Sequence, residues 1–207
     1  VTYILENYNP DSIRYFLTIN GPERRDSDFS WESFIHSHNG ELLGAFGNFV
    51  NRTLVFVQKY FNSKIPKSSI DENVKNQINN LYDSSGQKIE KGELKKALKD
   101  IFDFIRSCNK YFDEEQPWIT IKEDHEQCAR TIYTCIQIII NLSNLLSPFI
   151  PETTDKIKQI FDITQSCWNY TELFSNNTIN EVEKLFERIE KEQIKEELKR
   201  LKTKSKS

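Results

Sequence analysis

The sequence predicts an all-α protein, an antiparallel bundle of helices, and three observations predict it. Apolar residues recur at three- and four-residue spacing along several long stretches, which is the period of one buried helix face. Proline- and glycine-containing breaks separate most of those stretches and leave short connections. With 37% hydrophobic and 29% charged residues, each helix has one apolar stripe and a solvated remainder.

Taken in order, Asp11 behind Pro10 is expected to cap a short helix through Ile13, Tyr15, Phe16 and Leu17, which Asn20-Gly21-Pro22 ends. After a polar stretch, Ser30 reads as the N-cap of a long helix from Trp31 to about Phe61, with Glu32 in its first turn. Leu42, Phe46, Phe49, Val50, Leu54 and Val57 mark its inner face. Gly40, Gly44 and Gly47 each weaken a helix by roughly 1 kcal/mol relative to alanine. They are expected where the helix bends, or where another group comes close to the backbone.

Asp71 to Leu81 reads as a short polar helix and Asp83 to Gly86 as a turn. Lys88 to Phe112 is the second long helix, with Leu94, Leu98, Ile101, Phe102, Ile105 and Cys108 facing inward. A loop at Pro117-Trp118 follows. Glu126 to Ser147 is the third long helix and the most apolar, although Gln137, Asn141, Ser143 and Asn144 interrupt it. Pro148 and Pro151 end it and open a fourth, Glu152 to Phe161. Beyond an Asn-rich loop after Leu173-Phe174, Asn180 to Leu201 reads as a charged, solvated helix and Lys202 to Ser207 as a frayed basic tail.

The net charge of −3 argues against binding nucleic acid through bulk charge, and leaves room for a local, shape-specific site. No apolar run approaches the roughly 18 residues a membrane span needs, so no membrane partner is expected. Cys108, Cys128, Cys135 and Cys167 form no CxxC pair, and His36 and His38 have no acidic or thiol partner at ligand spacing. The thiols of Cys128 and Cys135 therefore read as buried and free, and the two histidines as solvated. Asp113-Glu114-Glu115 reads as a solvated helix end, so neither a catalytic residue nor a metal ligand is expected. These features suit a reducing, cytoplasmic compartment. The chain starts at Val1 and has no methionine, and is expected to be a piece of something longer.

Trp118 carries the functional signal. It stands just after Pro117, past the end of an amphipathic helix, where a large aromatic is badly placed as core and well placed as a flat stacking surface. Nucleobases are its commonest planar partner, and the other use for it is as the anchor of a protein-interaction module. Asn48 and Arg52, four apart on the first long helix, offer a paired donor and acceptor and a fork of donors on one face. With a stacking Trp, that pair makes a minimal reader of unpaired bases.

Several blocks occur in sequence: Asp11-Ser-Ile-Arg14-Tyr15-Phe-Leu; Asp28-Phe29-Ser30-Trp31; Asn39-Gly-Glu-Leu-Leu-Gly-Ala-Phe-Gly-Asn48-Phe-Val-Asn51-Arg52; Gln116-Pro117-Trp118; Leu142-Ser-Asn-Leu-Leu-Ser-Pro148-Phe-Ile-Pro151; and Leu185-Phe186-Glu-Arg188-Ile189. Together they resemble the C-terminal part of methionyl-tRNA synthetases, from the stem-contact region through the anticodon-binding bundle of class I type.

The resemblance implies a reader of the CAU anticodon of tRNA-Met. Asn48 and Arg52 would contact bases, Trp118 after Pro117 would stack on the first base, and Asp113 and Asn109 would shape the site. Arg14, Arg24 and Arg25 would neutralise phosphates of the tRNA stem. Residues 1–30 would end the stem-contact region, 31–175 would form the bundle, 176–201 a C-terminal helix packing back on it, and 202–207 a disordered tail. A catalytic domain in cis, using ATP and Mg and carrying any zinc, would precede Val1. The chain alone would hold no cofactor and be inactive.

Overall fold

A computed structural model describes residues 2–21, 29–174, 177–180 and 183–204. The described residues are mostly helical, with short links except across the described part of 161–190, which is long and irregular, and one isolated antiparallel bridge joins Lys64 and Thr178. The helices are α1 (Thr2–Asn7), α2 (Pro10–Asn20), α3 (Trp31–Ser37), α4 (Asn48–Tyr60), α5 (Glu72–Glu90), α6 (Leu94–Glu115), α7 (Pro117–Glu123), α8 (His125–Leu145), α9 (Pro151–Ile160) and α10 (Lys191–Lys204). A π-helical segment, His38–Gly47, joins α3 to α4 without a break.

At the centre lies α8, in contact with α4, α5, α6, α7 and α9, and buried on every side from Cys128 to Leu145 except at Arg130. Complete burial explains its composition, which is apolar all round. Three of its polar interruptions, Gln137, Asn141 and Asn144, have partners in the irregular segment that follows α9, while Ser143 donates to the Ile140 carbonyl of its own helix. Gln137 exchanges hydrogen bonds with the backbone of Leu173 (2.8 and 2.9 Å), and Asn141 does the same with Thr171 (2.8 and 2.9 Å). The two amides stand in for a neighbouring strand, so the loop's backbone is satisfied without a sheet. Leu98, Ile101 and Ile105 of α6 are completely enclosed, and each stabilises the bundle by roughly 1.5–3 kcal/mol. A smaller core of Tyr8, Phe16, Trp31, Phe34 and Ile35 binds α2 and α3, and the Tyr8 hydroxyl donates to Glu197 of α10 (3.1 Å).

Several boundaries differ from those expected. Asn9, not Asp11, caps α2, accepting from the N–H groups of Asp11 and Ser12. Asp11 is buried and accepts the Thr153 N–H in the first turn of α9 (2.6 Å), so it caps a helix distant in sequence. Ser30 caps α3 as expected. The supposed turn at Asp83 to Gly86 is continuous helix, and the glycine serves the approach of Trp168 instead; a Cβ at Gly86 would lie 2.8 Å from the indole nitrogen. The chain breaks instead at Gly92, whose φ of +72° suits glycine, so α6 begins at Leu94 and that residue is exposed. His38 is buried, bonded to Ser12 and to the Glu187 carbonyl, and is not solvated. The described part of 177–190 is irregular, and the C-terminal helix starts only at Lys191.

Candidate nucleic-acid interface

Gln116 sets the shape of the site. After α6 ends at Glu115, Gln116 adopts left-handed backbone angles (φ 45°, ψ 57°), and Pro117 opens α7. The expected Pro117-Trp118 loop is thus the first turn of a helix, where proline has no intrahelical N–H to lose. The Gln116 conformation costs of order 1–3 kcal/mol, and the surroundings hold it. Its carbonyl accepts from the N–H of Ile119 (2.8 Å) and Thr120 (3.1 Å). Beside it, Glu115 accepts from Gln127 and Thr131 of α8, and the buried Pro117 carbonyl accepts from the Cys128 thiol. Pinned in this way, α7 presents Trp118 to solvent at 43% exposure. Its ring lies 6.2 Å from that of Phe112, at 33°.

The other wall is α4, which meets α6 in two matched pairs. Asn48 Nδ2 donates to Asn109 Oδ1 (3.4 Å), and one turn on, Arg52 Nη2 donates to Asp113 Oδ1 (2.5 Å). The Arg52 guanidinium also lies 4.4 Å from the centre of the Phe112 ring. Asn109 Nδ2 is fixed by the carbonyls of Ala45 (3.0 Å) and Ile105 (3.1 Å), so the π-helical segment helps to aim it. Asn48, Arg52, Asn109 and Asp113 line an open groove of about 370 Å³. Trp118 is not one of its walls and stands beyond Phe112.

The structure therefore brings Asn48, Arg52, Asn109 and Asp113 together and sets Pro117 and Trp118 beside them. Arg14 is used elsewhere, donating to the carbonyls of Phe149 (3.3 Å) and Pro148 (3.1 Å) at the α8–α9 turn. Arg24 and Arg25 lie outside the described residues. Sequence reasoning missed Phe112, which carries both Arg52 and Trp118, and Arg106, which lines the same groove. The missed signal was helical spacing, since Arg106 precedes Asn109 by three residues on one face of α6. The groove offers amide pairs, a guanidinium fork and a carboxylate beside an exposed indole, the groups that read and stack planar bases.

The bundle has the fold of one part of a class I aminoacyl-tRNA synthetase. Superposition on the free Mycobacterium tuberculosis methionyl-tRNA synthetase gives a TM-score of 0.84 at 22% identity, over 91% of this chain and 40% of that one. The chain belongs to the family of anticodon binding domains of methionyl tRNA ligase, which its residues 65–206 match, while residues 1–54 match the methionine-type class I tRNA synthetases. It is 52% identical to methionine–tRNA ligase 1 of Alkaliphilus oremlandii over 96% of its own length, and 50% identical to the ligase of Bacillus mycoides over the same share. It spans 37% and 36% of those two proteins. The family match does not favour the protein-interaction module.

Proposed function

We propose that this chain reads the CAU anticodon of tRNA-Met. One observation carries the reading: in an anticodon-binding domain, the paired Asn48–Asn109 and Arg52–Asp113 contacts open beside an exposed Trp118. The amide of Asn48 and the fork of Arg52 bond base edges, and Asn109 and Asp113 hold those groups in register until RNA arrives. Trp118, fixed by Pro117, takes the first anticodon base on its face. Arg24, Arg25 and the exposed part of Arg14 are assigned to stem phosphates. Residues 1–30 are read as the end of a stem-contact region, 31–175 as the bundle, 176–201 as a segment returning to it and 202–207 as a tail. The whole protein is read as a cytoplasmic methionine–tRNA ligase, whose catalytic domain consumes ATP with Mg and holds any zinc.

The test is Trp118→Ala in the intact protein. Aminoacylation efficiency is expected to fall by about 5- to 150-fold, the equivalent of roughly 1–3 kcal/mol for one lost stack. Methionine activation without tRNA should stay near wild type. Equal loss in both assays would mean misfolding and would remove the support for this reading.

A further inference from the structure

Arg106 belongs to two concavities at once. It closes one end of the Asn48–Arg52 groove, and it rims a second cleft of about 260 Å³ floored by Tyr15, Leu98 and Phe102 and edged by Lys95 and Lys99. Residues 95, 99, 102, 106, 109 and 113 follow one another in steps of four and three, so a single face of α6 runs from the second cleft to Asp113. Lys95, Lys99 and Arg106 are exposed on that face. The two lysines stand in the first two turns of α6, where the helix dipole opposes positive charge, although Lys99 recovers part of that through its i,i+4 pair with Asp103.

The arginine is already aimed. Its Nη1 donates to Glu41 (2.5 Å) and its Nη2 to Asp103, while Lys99 bonds the other Asp103 oxygen (2.5 Å). Two carboxylates thus orient the guanidinium plane and leave the rest of the fork in solvent. Fixing a fork in advance lowers the entropy that binding must supply.

We propose that this face is a phosphate track: Arg106, Lys99 and Lys95 carry the backbone of the RNA strand whose bases enter the Asn48–Arg52 groove. From Lys95 to Arg106 the helix rises about 16 Å, long enough for several consecutive phosphates of one strand. The track rests on the anticodon reading above and extends it from the loop towards the stem. It reads no sequence, since phosphates fix register and base edges specify.

The test measures binding of two RNA hairpins to the intact protein over a salt series, one with a CAU loop and one with that triplet changed. The variant is Lys95→Gln/Lys99→Gln/Arg106→Gln, with Trp118→Ala alongside. The triple variant is expected to weaken both hairpins by the same factor and to lower the slope of log affinity against log salt by about 2, roughly 0.7 for each of the three single-strand phosphates that go unneutralised. Trp118→Ala should reduce the CAU preference and leave the slope alone. An unchanged slope in the triple variant, with wild-type CAU preference intact, overturns the track and spares the anticodon reading. Loss of CAU binding alone overturns it too, because the residues would then be reading bases. A wild-type protein that prefers neither hairpin overturns both. If the triple variant loses helical circular dichroism, the exposed pair Lys95→Gln/Lys99→Gln replaces it. That pair is expected to lower the slope by more than one unit, and an unchanged slope in it overturns the track in the same way.

Discussion

Arg52 bonds Asp113 at 2.5 Å while its guanidinium lies over the Phe112 ring, so a candidate base-reading group is occupied twice before any ligand arrives. Both charges face solvent, with side-chain exposures of 29% and 58%, which limits the pair's worth to roughly 0–1 kcal/mol. The contact is therefore easily exchanged. Its value lies in orientation, because a fork held over an aromatic ring samples few other rotamers.

Arg52→Lys keeps the charge and loses both the fork and the guanidinium contact with the Phe112 ring. The protein should melt within a few degrees of wild type, and its preference for a CAU hairpin over a changed loop should fall by about tenfold, some 1.4 kcal/mol. Competition binding with the two hairpins measures this. A preference equal to wild type would remove Arg52 from the site.

Gly44→Ala tests the π-helical segment. An added Cβ at Gly44 lies 2.9 Å from the Asn39 carbonyl, five residues back, and that atom is backbone. Relief needs movement of the segment whose Ala45 carbonyl holds Asn109. The substitution should destabilise by about 1–3 kcal/mol and weaken RNA binding as well. At Gly40 nothing lies within 4 Å, so Gly40→Ala should leave stability unchanged or raise it by up to about 1 kcal/mol. Thermal melts of the two variants separate the cases, and equal melting points would contradict the argument.

The contrast between these glycines also shows what was legible in the sequence. Periodicity located the faces of α4, α6 and α8, because burial acts on every third or fourth residue whatever the partner. It placed Asn48 and Arg52 on one face, whereas Asn109 and Asp113 were singled out only by the family resemblance. It could not reveal that Gly86 makes room for Trp168 or that Asp11 caps α9, since those depend on residues more than eighty positions away. Nothing local marked His38, whose partners are Ser12 of α2, 26 positions away, and Glu187 of the segment before α10, 149 positions away. A left-handed Gln116 before Pro117 had no local signal either, because glutamine has no preference for that conformation.

Asn141→Leu should be among the most damaging changes outside the groove. Asn141 Nδ2 donates to the Gln137 and Thr171 carbonyls, and its Oδ1 accepts from the Thr171 N–H and the Tyr82 hydroxyl. Leucine fills the volume and leaves the Thr171 backbone unpaired inside the protein. The expected cost is about 2–6 kcal/mol, from two stranded groups at roughly 1–3 each. Urea unfolding reads it directly, and a loss below about 1 kcal/mol would mean that water replaces the amide.

His38 makes stability depend on pH in a direction set by its burial. Nε2 meets the Glu187 carbonyl at 2.8 Å, so that nitrogen is assigned the proton, and Nδ1 then accepts from the Ser12 hydroxyl at 2.8 Å. Burial holds its pKa below the ordinary 6.5, and the bond to Glu187 only partly opposes this. In the window below 6.5 the unfolded chain binds a proton that the folded one refuses, so acid favours unfolding there. The stabilisation is complete above 6.5 and is lost as pH falls through the lowered folded value. Carboxylates elsewhere also weaken the fold in acid, so the diagnostic quantity is the difference between wild type and His38→Gln. The variant should be the less stable protein near neutrality, and the gap between the two urea midpoints should narrow between about pH 7 and 5. A gap constant over that range would show that His38 titrates alike in both states, and the two hydrogen bonds would then be its only contribution.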